Sequence, residues 1–146
     1  MELRRAVVTD GDAVASVFCS ARAGMTYLPP LDVPEASAHF RDHVAAEQET
    51  WVALEEHVVV GFATLGLEEL DHLYVAPVAQ GQGIGTALLD HAKALRPGGF
   101  ELWVFQRNVS ARRFYERHGC VLLYETDGAA NMEREPDARY GWRPSS

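Results

Sequence analysis

The stretch Val75-Ala76-Pro77-Val78-Ala79-Gln80-Gly81-Gln82-Gly83-Ile84-Gly85-Thr86 decides how the chain is read. It leaves a strand-like segment, Glu68 to Val75, and passes through Ala76-Pro77 into a glycine-rich turn. From Gly83 to about Leu95 the apolar residues Ile84, Ala87, Leu88, Ala92 and Leu95 recur at the helical period, and Pro97-Gly98-Gly99 stops the helix. A helix start presents unpaired backbone N–H groups and the positive end of the helix dipole, and glycines there let a phosphate approach the backbone. The turn therefore reads as an anion site. It is not the dinucleotide fingerprint, which needs glycine where the chain has Thr86, nor a Walker loop, which needs Lys at that place. A turn that only connects two elements is the alternative.

Upstream, Glu2 to Val8 reads as a strand. Thr9 to Arg22 follows as a helix, with a cap-like Thr9-Asp10 and apolar Ala13, Val14, Val17 and Phe18. Gly24 to Pro34, rich in proline and holding Tyr27, is an irregular loop, and Pro34 opens a second helix to about Glu47 with Ala38, Val44 and Ala45 on its buried side. Thr50 to Leu54 and Val58 to Leu65 form a hairpin about Glu55-Glu56-His57. Downstream, Phe100 to Phe105 is apolar almost throughout, which predicts a strand covered on both faces. Asn108 to His118 is a helix closed by Gly119, and Cys120 to Tyr124 is a sixth strand. Thr126 to Pro136 is a polar loop, and Ala138 to Trp142 returns as an edge strand before Pro144, Ser145 and Ser146 fray. The order is that of a mixed α/β domain.

At 146 residues the chain makes one domain, 1–146. With 47% hydrophobic and 23% charged residues it has a globular composition, which excludes disorder and disulfide-stapled minidomains. No apolar run approaches the roughly 18 residues of a membrane helix, and the N-terminus has no signal-peptide apolar core, so a cytoplasmic protein without membrane partners is expected. Thirteen Lys and Arg against 21 Asp and Glu give a net charge of −8, the opposite of a nucleic-acid footprint and weakly favourable to cationic partners. Cys19 and Cys120 read as buried reduced thiols.

Val75-Ala76-Pro77 followed by Gln80-x-x-Gly83-x-Gly85 resembles the acyl-CoA pyrophosphate loop of the GNAT superfamily of N-acetyltransferases. Asn108-x-x-Ala111-x-x-Phe114-Tyr115-Glu116-x-x-Gly119 resembles that superfamily's next helix. The resemblance covers nearly the whole chain. It implies an α/β (α+β mixed) single-domain fold: a central, mostly antiparallel twisted sheet of six to seven strands, about four flanking helices, and a splayed pair of parallel strands. It also implies acetyl coenzyme A as cosubstrate. The pyrophosphate would lie on the loop Gln80, Gly81, Gln82, Gly83, Ile84, Gly85 and Thr86. The pantetheine arm would pair with Leu73, Tyr74 and Val75 and bond to Asn108, which could equally serve as a helix N-cap. A homodimer is compatible with the family, though no segment demonstrates an interface.

Acetyl transfer from a thioester to an amine needs a free amine, stabilisation of a developing oxyanion and protonation of a leaving thiolate. The resemblance places Tyr115 near the thioester sulfur as general acid; packing beside Phe114 is the alternative. For the base, Glu69 and Asp71 share one face of a regular strand, with His72 opposite, an order that a bulge would change. Both carboxylates stay candidates, as do two solvated strand residues. The oxyanion would take a backbone N–H near Leu73. Tyr27, in a loop that borders the acceptor site in such folds, is a candidate substrate contact, and the loop Gly24 to Pro34 and the segment Asp127 to Pro136 should line that site. His39 and His43 lie four apart on a helix but have no evident third ligand, so no metal is expected. Trp51, Phe62, Phe100, Trp103 and Phe105 read as core. The expected activity is N-acetylation of a primary amine, on a small molecule or a peptide, by direct attack in a ternary complex. A noncatalytic acyl-CoA-binding or interaction domain on the same scaffold is the rival.

Overall fold

A computed structural model describes residues 1–144. The expectation for Ser145 and Ser146 lies outside them. Strand β1 (Glu2–Arg5) leads through a tight turn, Val8–Asp10, into α1 (Gly11–Ala23). Helix α2 (Val33–His39) starts at Asp32, whose carboxylate accepts from the Glu35 N–H at 3.0 Å, and runs through a wide turn, Phe40–Val44, into the short α3 (Ala45–Glu47). Strands β2 (Glu49–Glu55), β3 (Val58–Leu65) and β4 (Leu70–Val75) follow as a meander. Then come α4 (Ile84–Leu95), β5 (Phe100–Phe105), α5 (Val109–Arg117), β6 (Val121–Thr126) and β7 (Asp137–Trp142).

The strands form two antiparallel sheets, β1-β2-β3-β4 and β5-β7-β6. They meet at a single parallel bridge, Glu69 to Glu101, with the Glu101 N–H on the Glu68 carbonyl at 3.0 Å. Beyond that point β4 and β5 diverge, which is the splayed pair the resemblance implies. Their facing backbone edges are open beyond the bridge, and a strand edge without a neighbour offers N–H and C=O groups to a ligand.

One face of the first sheet packs Val52, Leu54 and Phe62 against Val14, Val17, Phe40 and Val44 of α1 and the α2 region. The other packs Ala53, Ala63 and Leu65 against Ile84, Leu88, Leu89 and Ala92 of α4. The alternation of strand side chains supplies both cores at once, because β2 and β3 are buried on either side.

Two expectations are corrected. The last strand is not an edge: β7 lies between β5 and β6, with Ala138 and Tyr140 fully buried, and β6 takes the edge with Val121 to Tyr124 exposed. Strand β5 is not covered on both faces, since its residues alternate and Trp103 is 46% exposed. Phe100 is core as expected, whereas Trp103 and Phe105 line a cleft.

Candidate active site

Gly81 and Gly83 hold φ of +79° and +83°, in the left-handed region where a side chain is strained. A Cβ at either would meet nothing within 4 Å, so conformation and not space demands glycine there. Gly83 is the N-cap of α4 and brings no capping side chain, and the first intrahelical bond runs from the Ala87 N–H to its carbonyl. The amides of Ile84, Gly85 and Thr86 thus face outward at the positive end of a twelve-residue helix. Gln80 braces the turn by donating to the Val75 carbonyl at 3.2 Å. At Gly85 a Cβ would lie 3.4 Å from the Phe114 ring, an ordinary van der Waals contact that brings the start of α4 against α5.

A groove of about 640 Å³ runs from this turn into the splay. Leu73, Tyr74, Val75, Gln80, Gly81, Gly83, Ile84, Gly85, Thr86, Asn108 and Tyr115 all border it; Gln82 does not. Sequence reading missed Ser110 and Arg117, which border it from α5. Asn108 is the N-cap of α5, accepting from the Ala111 N–H at 3.2 Å, so the capping alternative is realised at the groove wall.

A second cavity of about 410 Å³ continues from the groove between β4 and β5. Met25, Leu73, Tyr74, Asn108, Ala111 and Tyr115 border both, so Tyr115 stands where they join. Burial pushes the Tyr115 phenol well above its ordinary range, so it stays protonated at any working pH. The loop residues Ala130, Asn131 and Glu133 border the cavity away from the groove, with Trp103 and Phe105 on the β5 wall. The segment after Asp127 does line the cavity, and the first loop contributes through Met25. Tyr27 is not among the lining residues: its ring packs on Phe105 at 6.2 Å and lies beneath the Arg107 guanidinium.

The carboxylates are arranged by a β-bulge. Thr64 pairs with His72 and Leu65 with Leu70, which leaves Asp71 as the extra, unpaired residue of β4. The cavity borders the whole run Leu70 to Tyr74, Asp71 and His72 included, and the bulge breaks the strict alternation that put His72 on the opposite face. Asp71 and His72 also border a polar recess of about 400 Å³ with Glu69, His39, His43 and Glu47. Glu69 is absent from the cavity wall. Its carboxylate is held by Arg139 at 2.7 Å. Asp71 is pushed up to about 6, first by burial, then by the Glu69 carboxylate to which its protonated form donates. Burial lowers His72 to about 4, leaving it neutral at pH 7. The cavity lining holds Asp71, Glu133 and Asp137 but no Lys or Arg. Among the described residues no three His, Cys, Asp or Glu converge as a metal set, and no helix is long and apolar enough to cross a membrane.

A profile for the acetyltransferase (GNAT) domain matches residues 46–119, from β2 through the end of α5. The peptidyl-lysine N-acetyltransferase YjaB of Salmonella typhimurium LT2 is 39% identical over 74 residues, 50% of this chain and 50% of that protein. The chain therefore matches about half the length of this relative. YjaB of Escherichia coli K12 is 29% identical over 123 residues, 82% of this chain and 81% of that one. The solution structure of apo-form YjaB from Escherichia coli superposes with a TM-score of 0.82 at 24% identity, covering 99% of this chain and 98% of the other. The PaiA N-acetyltransferase of Thermoplasma acidophilum, solved in complex with coenzyme A, superposes at 0.79 and 15% identity over 98% of each chain.

Proposed function

The chain belongs to the GNAT acetyltransferase family, and from that premise we propose that it moves acetyl from acetyl coenzyme A to a primary amine on a flexible cationic arm, as in a lysine side chain. The observation that carries this reading is the continuity of a groove, headed by open helix amides, with a cavity whose only charged lining residues are acidic. The amides of Ile84 to Thr86 hold the pyrophosphate, and the open edge of β4 pairs with the pantetheine amides. The backbone N–H near Leu73 takes the negative charge that develops on the acetyl oxygen. Asp71, pushed up to about 6, is largely ionised at pH 7 and takes the proton that the amine nitrogen sheds as it bonds to the acetyl carbon, directly or through water. Tyr115 gives its proton to the departing thiolate. In water a phenol near 10 and a thiol near 8.5 make this transfer modestly uphill, and burial of the Tyr115 phenol makes it more so.

Acceptor specificity follows from the lining. Trp103, Phe105 and Met25 accept an alkyl stem, while Glu133 and Asp71 draw the charged end. The names of the two YjaB relatives, both peptidyl-lysine N-acetyltransferases, agree with such an acceptor. The free thiols Cys19 and Cys120 suit a reducing, cytoplasmic setting. The test is coenzyme A release from acetyl coenzyme A with a panel of amines that includes lysine peptides, amino acids and polyamines. Release that saturates with a lysine peptide is expected. Binding of acetyl coenzyme A without release for any amine would return the chain to the noncatalytic rival.

A further inference from the structure

Arg139 lies on β7, the middle strand of the second sheet, yet its guanidinium reaches both members of the bridge that joins the two sheets. Its Nε donates to Glu101 at 2.9 Å on β5, and its Nη2 donates to Glu69 at 2.7 Å beside β4. The guanidinium carbon sits 4.9 Å from the centre of the Trp103 ring, and the side chain is only 12% exposed. One cation thus spans the vertex from which β4 and β5 diverge, and it stacks on a residue of the cavity wall. Such a fork of donors, fixed in one plane, suits two carboxylates at a set spacing, which a lysine ammonium cannot match.

We propose that Arg139 is a positioning residue of the site: by engaging Glu69 and Glu101 it fixes the vertex of the splay and reserves Asp71 as the proton acceptor. Glu69 and Asp71 are two residues apart, and without the arginine either could take a proton from the acceptor. With it, Glu69 is committed to an ion pair outside the cavity, and Asp71, at the bulge, is the carboxylate of the two that lines the cavity. This rests on the acetyl-transfer reading.

Several charged groups surround Asp71. On its own strand they are Glu69 and His72; from the α2 to α3 region His39, His43 and Glu47 face the same recess. Across the cavity stand Glu133 and Asp137, and from β7 comes Arg139, with Glu101 behind it. Of these, Glu69 raises the Asp71 carboxyl and Arg139 lowers it. Replacing the two must therefore move it in opposite directions, which a merely structural role for Arg139 would not produce.

The experiment is a carboxyl-carbon NMR titration of Asp71 in the ligand-free protein, beside kcat/KM against pH for a lysine peptide. Wild type, Glu69→Gln, Arg139→Met and Arg139→Lys are compared. Wild type is expected to titrate near 6, Glu69→Gln lower by about one pH unit, Arg139→Met higher by a smaller step, and Arg139→Lys between Met and wild type. The acid limb of kcat/KM should follow in the same order. An Asp71 midpoint that stays put in both Glu69→Gln and Arg139→Lys, or moves the same way in Glu69→Gln and Arg139→Met, overturns the proposal. The Lys and Gln variants decide the matter even if Met at 139 does not fold. The titration needs no turnover, so absence of acetyl transfer would remove the parent reading while the NMR still ruled on Arg139.

Discussion

The role proposed for Asp71 rests on one unpaired position in a ladder. The bulge leaves it bordering both the cavity and the recess, burial and Glu69 raise it, and the same forces make its ionisation costly to the fold. A carboxyl raised above its unfolded value contributes stability that is fully present below the ordinary aspartate range, near 3.9, and is lost as pH rises through about 6. Asp71→Asn should therefore melt higher than wild type at pH 7.5, by a smaller margin at pH 4.5, and equally near pH 3, by calorimetry. Its kcat should fall about 10² to 10⁴-fold, the usual worth of a general base. Tyr115→Phe keeps the packing and loses the proton, so kcat should fall while the Kd for acetyl coenzyme A, by calorimetric titration, stays within about twofold of wild type. At this scale the sequence named both carboxylates and Tyr115 but could not choose between Glu69 and Asp71. The choice depends on how Leu65 and Thr64 pair with β4, and a bulge belongs to two strands, not to the string of one. Trp103 likewise gave no sign of its exposure, because an aromatic in an apolar run reads the same in a core and in a cleft wall.

Helix α4 and its turn were the most legible element. The glycines, the apolar period and the stop at Pro97 are local properties, and the observed helix, Ile84–Leu95, agrees with the expected Gly83 to Leu95 within one residue. The turn also offers a sharp test. Aspartate at position 83 would meet strain at φ of +83° and would place a negative charge at the open amides. Gly83→Asp should weaken acetyl coenzyme A binding at least about a hundredfold while circular dichroism stays native, and near-normal affinity would dismiss the turn as the phosphate site. Less local elements were harder to place. β1 ends at Arg5, not Val8, because Val8–Asp10 close a tight turn in which the Asp10 carboxylate accepts from the Val7 N–H at 2.7 Å and from Arg4.

On the scale of the whole molecule, function comes from a sheet that is not closed. β4 and β5 touch at one bridge, and β7, last in the chain, inserts beside β5 and carries Arg139 to that vertex. Strand order is a tertiary property, so Ala138 to Trp142 could be read as a strand but not as a central one. The acidic balance acts at this scale too. A net charge of −8 and an acidic cavity should steer cationic acceptors inward, so kcat/KM for a basic lysine peptide should fall several-fold between about 10 and 200 mM salt, with kcat little changed. A flat salt response, measured at constant pH, would mean that the acidic lining does not meet the acceptor.

The central claim is direct transfer between bound acetyl coenzyme A and an amine, with Asp71 taking the proton. A single-turnover experiment tests it most directly: protein in excess is loaded with acetyl coenzyme A, mixed with a lysine peptide, and followed for free thiol and for acetylated peptide. Both products should form at one rate, only with peptide present, without an acetylated protein, and at least about a hundredfold more slowly in Asp71→Asn. Thiol release without peptide, an acetyl group left on the protein, or an unaltered rate in Asp71→Asn would contradict it.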